Sequence, residues 1–386
     1  MGDISLWQKL RNCGVWLPSY GWQRLTRRSW DGPTHLIIAL ADHFEPSIAH
    51  PPARFASRAE GQRRVAWWCN QYPGFADPFR DSDGFPFRHT YFWPAEQYDR
   101  ELLKAVAMHC HEGWGEIEIH LHHGVESPDN SRNTRKVLSE FRDRLAGDHG
   151  CLSFQDGSSM PRYAFVHGNF ALANSAGGRN CGVDDELQIL AETGCYADLT
   201  LPSAPNRSQV SKINSLYECQ RTLNHRAAHA TGRDLRTGSP PTRFPLIFQG
   251  PLLLAKEPET GRIYIENSAV AKGMEPNRHR LALWRRANIA VQGRPEWIFI
   301  KLHCHGLDPN DRDVMMGEKL QAFLRFTTEA ACNGEFGLHF VTAREMVNIA
   351  LASCEGCSGQ PGDYRDYRFR LITTPKRASL AERVRG

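Results

Sequence analysis

The sequence lacks the patterns of membrane-spanning and nucleic-acid-binding proteins. Its longest apolar runs, 36–41 and 246–255, have the length of a strand, whereas a membrane-spanning helix needs about 20 apolar residues. Lys and Arg number 47 against 43 Asp and Glu, a formal net charge of +4, and no dense basic block with interleaved aromatic residues occurs. We therefore expect a protein with no membrane span that does not bind nucleic acid.

The motifs of several common enzyme classes are also missing. No Gly-x-Ser-x-Gly is present, and neither Gly-rich phosphate-binding pattern follows a predicted strand. Residues 1–10 contain no apolar signal core, and the 11 cysteines are scattered. These features favour reduced thiols and a cytoplasmic location. Cys354 and Cys357 form a single Cys-x-x-Cys, without the second pair that a zinc or redox motif needs.

Short apolar runs alternate with helical patterns of 10–15 residues between residues 34 and 352. This alternation is typical of a parallel sheet with helical crossovers, and seven or eight such units predict a single α/β barrel domain. Residues 1–33 are expected to form a lead-in helix and turn, 203–280 an insertion over part of the barrel mouth, and 353–386 a loosely attached tail. The clearest strands are predicted at 36–41, 89–93, 116–122, 163–167, 195–201, 296–303 and 337–341.

Histidines concentrate at the predicted carboxyl ends of strands, where barrels place their chemistry. Because side chains alternate across a strand, His120 and His122 share one face, as do His303 and His305. Two such imidazoles and an Asp would give a metal ion three protein ligands and leave one position open, which is the pattern of a catalytic zinc site. A zinc ion in such a site lowers the pKa of its bound water to roughly 7. The polar residues at these ends are Asp42, His43, His120, His122, His123, His167, Asn169, Asp198, His303 and His305.

Each of these residues also has an ordinary structural interpretation. A single strand-end histidine such as His167 is more often a hydrogen-bonded core or rim residue than a ligand. Three imidazoles within residues 120–123 are harder to explain that way, because buried polar groups must be satisfied. Glu116 and Glu118 either orient an imidazole or face solvent. Trp93 and its aromatic neighbours can stack on a sugar ring, although such groups are more often core.

These segments resemble the polysaccharide deacetylase (NodB-homology) superfamily, whose members have a distorted (β/α)7 barrel. Asp42-His43 is similar to the family's first motif, Thr-Phe-Asp-Asp-Gly. Residues 115–120, followed by His122-His123, are similar to the second motif, in which two histidines bind the cation. Leu302-His303 is similar to the late Leu-x-His motif. The order of these motifs spans roughly residues 34–350.

The resemblance implies a role for each matching residue. Asp42 would be the catalytic base, with its use as a ligand left open, and His43 would bind the metal. His120 would be the first histidine ligand, and His122 or His123 would replace the second, because position 124 is Gly. His303 would be the general acid, and Asp198 would support the base. Residues 167–169 differ from the family's Arg-Pro-Pro-Tyr segment; the expected substrate contacts are His167, Asn169, His305 and Trp93.

The resulting hypothesis is a metal-dependent hydrolase that removes an acyl group, expected to be acetyl, from a carbohydrate or amino sugar. The imidazoles favour zinc, while a carboxylate-rich site would also accept manganese or another divalent ion. Two alternatives remain open: a glycoside hydrolase that uses Asp42 and Asp198 as paired carboxylates, and a catalytically degenerate saccharide-binding barrel in polysaccharide synthesis. Contact of the lead-in helix with a membrane surface is also left open.

Overall fold

The computed structural model describes residues 6–27, 30–51, 53 and 55–376. The helices are α1 (Leu6–Cys13), α2 (Leu17–Thr26), α3 (Arg58–Ala76), α4 (Arg100–His111), α5 (Ser131–His149), α6 (Glu186–Thr193), α7 (Arg278–Ala287), α8 (Arg312–Met315), α9 (Glu318–Cys332) and α10 (Ala343–Cys354). The strands are β1 (His35–His43), β2 (His89–Pro94), β3 (Gly115–Leu121), β4 (Ser153–Gln155), β5 (Tyr163–His167), β6 (Cys195–Asp198), β7 (Leu216–Cys219), β8 (Gly232–Asp234), β9 (Leu246–Phe248), β10 (Leu253–Lys256), β11 (Ile263–Glu266), β12 (Trp297–Cys304), β13 (Gly337–Val341) and β14 (Phe369–Leu371).

A ten-stranded, mostly parallel sheet forms the centre of the molecule and confirms the predicted α/β class. Its strand order is β12-β1-β2-β3-β5-β6-β9-β7-β8, and β13 pairs with the first half of β1. Only the β9–β7 and β7–β8 pairs are antiparallel. Within the described residues β8 does not pair with β12 or β13, so no closed barrel is seen, and the expected distorted (β/α)7 barrel stays a prediction.

Residues 203–280 were expected to be an insertion over the mouth of a barrel, and this expectation is wrong in part. Three strands from this stretch, β9, β7 and β8, continue the central sheet beyond β6. Only β10 and β11 form a separate hairpin. The strands β7 to β9 are three or four residues long, so clusters of Ser, Thr, Asn and Pro around them hid their periodicity.

Strand β1 is apolar on both faces because helices or loops cover each of them. Leu36, Ile38 and Leu40 pack in the large hydrophobic cluster that includes residues of α3 and α4. Ile37, Ala39 and Ala41 pack on the other side with residues of α10, all of which are buried. Helix α10 contacts β1, β5 and β13. It therefore covers the face of the sheet from which the side chain of His43 projects.

The amino-terminal region contains more helix than predicted. Helix α2 occupies part of a stretch that was expected to be turn-rich, and Trp16 just before it is fully buried against Ile213 and Leu252. Helix α3 was not predicted either; the Ser57 side chain caps it by accepting the backbone N–H of Glu60. Residues 1–5 and 28–29 of the predicted lead-in lie outside the described residues.

The carboxyl-terminal segment is packed rather than loosely attached, as far as residue 376. Strand β14 pairs with β4, and the buried Arg365 side chain bonds to Asp81, Asp83 and Glu345. Its Gly, Pro and charge content suggested a mobile tail, but the charges are used in buried ion pairs. Residues 377–386 of the predicted tail lie outside the described residues.

Among the described helices, none combines the length and the hydropathy that crossing a bilayer requires.

Candidate metal centre

The carboxylate of Glu45 lies where several strand-end histidines meet. Glu45 follows β1 by two residues, and its Oε1 atom is 3.4 Å from Nε2 of His120, 3.7 Å from Nε2 of His122 and 4.0 Å from Nε2 of His305. The His43 ring packs beside them, with its centroid 4.8 Å from that of His120 and 4.7 Å from that of His305. We call these five residues the Glu45 cluster.

Hydrogen bonds on the far side of two imidazoles fix how they face Glu45. Nδ1 of His120 is 2.8 Å from the carbonyl oxygen of Val166, which can only accept, so the proton of a neutral His120 is on Nδ1. Its Nε2 lone pair therefore points at Glu45. Nδ1 of His122 is 2.6 Å from a carboxylate oxygen of Glu96. Metal-binding histidines commonly have such a partner on the second nitrogen, which fixes the tautomer.

The electrostatics of the cluster differ between its members. Burial opposes ionisation of Glu45, but the neighbouring His120 and the charge of His122 lower the pKa of Glu45 to about 2. Although burial acts against this, the carboxylates of Glu96 and Glu45 raise the pKa of His122. Burial, reinforced by the neighbouring His305 and His120, lowers the pKa of His43 well below its usual value. Burial likewise lowers the pKa of His120, although Glu45 acts against this. No described residue provides a hydrogen-bond partner for Nδ1 of His43.

The cluster has the donor atoms that a divalent cation requires. Glu45 forms one set of three potential ligands with His120 and His122, and a second set with His43 and His305. The ligand atoms within each set lie within 4.8 Å of one another. These buried imidazole and carboxylate groups could hold a metal ion.

A cavity of about 700 Å³ adjoins the cluster. The cavity is open to solvent at Phe55 and Val125, two of its exposed apolar residues. The buried amide nitrogen of Asn169 has no partner among the described residues. The residues that line the cavity around the cluster include Glu45, Glu96, His122 and Asn169. A small molecule in this cavity would therefore contact both the cluster and a free amide donor.

Asp42, the predicted base, lies on the opposite face of β1 from His43. Its carboxylate accepts hydrogen bonds from the backbone N–H of Gly306, at 2.7 Å, and from Nδ1 of His89, at 2.9 Å. Asp42 is fully buried and belongs with His89 and Cys304, not with Glu45. The alternation of side chains along a strand explains this correction, because two neighbouring residues cannot both face the site.

The carboxylate of Asp198 is also hydrogen-bonded away from the Glu45 cluster. The backbone N–H and the hydroxyl of Thr200 donate to its carboxylate, at 3.1 and 2.7 Å. Burial raises the pKa of Asp198 to about 7, despite these bonds. The structure thus gives Asp198 a threonine partner and does not bring it to the Glu45 cluster.

His303, Trp93 and His305 are further residues of the predicted site, and only Trp93 lies away from the Glu45 cluster. His303, the predicted acid, lies beside the cluster: its ring centroid is 6.3 Å from that of His43, and its Nδ1 has no partner in the described structure. Trp93 does not contact the cavity, because its side chain is fully buried in the core beside Phe44. The prediction of a sugar-stacking role for Trp93 is therefore corrected. His305 joins the cluster itself, although it was predicted to contact substrate.

His123 and His167 lie together in a different place. Their Nε2 atoms are 3.1 Å apart, and both residues are grouped with Cys181 and Glu186. His167 shares a face of β5 with Tyr163 and Phe165, which point into the core away from α10. The predicted roles of His123 as a ligand beside His120, and of His167 as a substrate contact, do not fit this position.

The sequence patterns did not single out Glu45, Glu96, Cys181 or Glu186. The position of Glu45 in the sequence could have indicated its role. It lies two residues after His43, and in an extended chain side chains two residues apart lie on the same face. Glu186 lies in the first turn of α6, where acidic residues are common for reasons unrelated to metal binding. Glu96 and Cys181 come from loops whose path the sequence does not fix.

No known family model matches the chain, and no curated protein matches it either.

Proposed function

We propose that the Glu45 cluster binds a divalent cation, zinc in the first instance, and that the protein is a hydrolase that removes an acyl group, acetyl, from a carbohydrate or amino sugar. The observation that carries the proposal is the pair His120 and Glu45. Nδ1 of His120 is held by the carbonyl oxygen of Val166, and in the neutral form of His120 a lone pair on Nε2 lies 3.4 Å from Oε1 of Glu45. Two acceptors at that distance repel each other unless a positive charge lies between them.

The residues present fit a catalytic cation better than a structural one. Zinc takes nitrogen and oxygen ligands, and catalytic sites use three protein ligands and keep a position open. His120, His122 and Glu45 supply such a set, next to an open cavity. When bound, a cation of this kind lowers the pKa of water to roughly 7 and polarises a carbonyl oxygen. Manganese or another divalent ion is the alternative, given the carboxylate.

The remaining side chains supply proton transfer and substrate contacts. His43 and His305 exceed the three ligands needed, so one of them can accept a proton from the attacking water. His303 has an unpartnered nitrogen and lies beside His43, where it can donate a proton to the leaving group. Asn169 can donate to the acyl oxygen or a sugar hydroxyl. Glu96 keeps His122 in position.

The fold supports an acyl-transfer site of the deacetylase type, as the motif order suggested. The cluster combines residues that follow β1, β3 and β12, at the carboxyl ends of parallel strands. A distorted (β/α)7 barrel would bring the same three ends together. A cavity of about 700 Å³ is within the size range of small-molecule sites and suits one or two sugar rings.

The paired-carboxylate alternative receives no support from the site. Asp42 and Asp198 are both fully buried, and each accepts two hydrogen bonds from its own neighbours. Neither lines the cavity beside Glu45. A glycosidase would need two carboxyl groups that flank one bond.

The test combines metal analysis with acetate release from a panel of N-acetylated and O-acetylated sugars. We expect bound zinc and acetate release in the wild type, and a lower zinc content without acetate release in His120→Ala. The exposed His225 provides the matched control, so His225→Ala should keep both. Unchanged metal content in His120→Ala would overturn the proposed centre. Bound metal without acetate release from any sugar would overturn the hydrolase and favour a saccharide-binding protein.

A further inference from the structure

A second group of potential ligands lies apart from the Glu45 cluster. His123 follows β3, His167 ends β5, Cys181 lies in the loop between β5 and α6, and Glu186 is the first residue of α6. All four residues are buried, and one ligand atom from each lies within 4.8 Å of the other three. Two imidazoles, one thiol and one carboxylate make a complete set of four donors.

The separations within this group are short enough for one ion to bridge its members. With zinc–nitrogen and zinc–oxygen bonds of about 2.1 Å, ligand atoms in a tetrahedral site lie about 3.4 Å apart. Nε2 of His167 is 3.7 Å from Oε1 of Glu186, and Nε2 of His123 lies closer to both atoms, at 3.1 and 2.9 Å. Sγ of Cys181 is 3.5 Å from Oε2 of Glu186, the oxygen that does not face His123.

The surroundings hold two of these ligands in position. Nδ1 of His123 is 3.0 Å from Asp129, whose carboxylate also accepts the hydroxyl of Thr134 at 2.9 Å. A carboxylate behind a histidine in this way is typical of zinc ligands. One carboxylate oxygen of Glu186 accepts the backbone N–H of Ala173 at 2.6 Å, which leaves the other for a cation.

We propose that His123, His167, Cys181 and Glu186 form a second, structural zinc site. Four protein ligands with no open position are the structural pattern, in contrast to the open Glu45 cluster. A thiolate and a carboxylate balance the charge of the ion. Binding through Nε2 of His167 requires the proton on Nδ1, and so replaces the 3.2 Å bond from the backbone N–H of Asn169.

The site would fasten the irregular segment 168–185 to the sheet. This segment contains one short 3₁₀ turn and no strand, and it runs from the end of β5 at His167 to the start of α6 at Glu186. Its backbone lies tightly against the loop after β3: a Cβ atom added to Gly124 would be 2.1 Å from the carbonyl oxygen of Cys181. A bound ion would join both ends of the segment to His123 through His167 and Glu186, and would hold its interior through Cys181.

Cobalt(II) is a suitable probe, because a thiolate ligand gives this ion a near-ultraviolet charge-transfer band that nitrogen and oxygen ligands do not. The full-length protein is stripped with a chelator, reloaded with cobalt and separated from free metal. We expect two ions per chain and a thiolate band in the wild type. Cys181→Ser should retain one ion and lose the band, whereas His120→Ala should lose one ion and keep the band.

Cys304→Ala is the matched control, because Cys304 is the other cysteine in a group of potential ligands, with Asp42 and His89. It should keep both ions and the band. The absence of a thiolate band in the wild type, its persistence in Cys181→Ser or its loss in Cys304→Ala would each overturn the second site. If Cys181→Ser does not fold, the wild type and Cys304→Ala still decide the question. Failure of the Glu45 centre would appear separately, as unchanged metal content in His120→Ala.

Discussion

Two regions of this protein bury charged side chains in opposite ways. Near the start of β2 and β3, buried carboxylates are paired with guanidinium groups, a region that we call the arginine network. Arg344 bonds to both carboxylate oxygens of Glu116, at 2.8 and 3.0 Å. Arg88 bonds to Glu345 at 2.6 Å, and Arg365 bonds to Asp81 at 2.8 Å.

Among the described residues, no arginine or lysine is bonded to the buried carboxylate of the Glu45 cluster. Its neighbours are imidazoles, one of which presents a lone pair, and a free amide donor lies in the adjoining cavity. Buried charge alone therefore does not mark a functional site. A network whose carboxylates pair with arginine holds the fold together, whereas a carboxylate surrounded by imidazoles could hold a metal ion.

The largest effect is expected from removing the charge of Glu45. Glu45→Gln should lower the rate of acetate release by about a thousandfold or more, because a cation in the centre supplies several kcal/mol of stabilisation. The folded structure should survive, since no described arginine or lysine is bonded to Glu45 and His122 keeps its bond to Glu96. Steady-state kinetics and thermal melting measure the two effects. Glu259→Gln, on the exposed surface, is the control; equal losses in both variants would contradict the account.

A substitution in the arginine network should lower stability and leave metal binding unchanged. Arg344→Met leaves the buried Glu116 without its partner and should lower the free energy of unfolding by about 3–5 kcal/mol. The metal content of the protein that still folds should not change. Urea unfolding followed by metal analysis checks both points. The double variant Arg344→Met/Glu116→Leu should recover part of the loss, and no recovery would show that the charge imbalance is not the cause.

Neighbouring residues explain much of what the sequence could and could not predict. Asp42 and His43 are adjacent, as are His122 and His123, and in each pair the two side chains go to different sites. Alternation along a strand makes this divergence a consequence of the sequence. The shared face of His120 and His122 follows from the same rule, and the structure brings both to Glu45.

Sequence patterns could not predict contacts between residues that are far apart in the chain. Strands β5 and β13 match the predicted residues because each is an apolar run with clear limits. The partnership of Glu186 with His123 joins residues 63 positions apart, so no local pattern contains it. Helix α3 has a weak contrast between its apolar and polar faces and contains Pro73 and Gly74 in its last turn, which obscured its helical spacing.

Acid should unfold the protein partly through the arginine network. Although burial opposes it, Arg88 and Arg365 lower the pKa of Glu345 to about 2, below the usual value of about 4.5. Its stabilising contribution is therefore complete above about pH 4.5 and is lost as the pH falls toward 2, on the order of 3 kcal/mol. Unfolding curves between pH 2 and 6 should show a flatter dependence for Glu345→Gln. Parallel curves for the wild type and the variant would contradict this assignment.

The smallest effect is expected from the residue behind His122. Glu96→Gln removes the carboxylate that orients this imidazole at 2.6 Å and should weaken cation binding by about 10–100-fold. Competition with a metal-binding dye measures the affinity. Glu126→Gln, at an exposed position in the loop after β3, is the comparison. An affinity equal to that of the wild type would mean that His122 is not a ligand.

The most direct measurement is an anomalous difference map at the zinc edge, from a crystal of zinc-loaded protein. We expect an anomalous peak about 2.0–2.2 Å from a carboxylate oxygen of Glu45 and from Nε2 of His120. No peak at that position, with Glu45 and His120 joined instead by a proton or a water molecule, would contradict it.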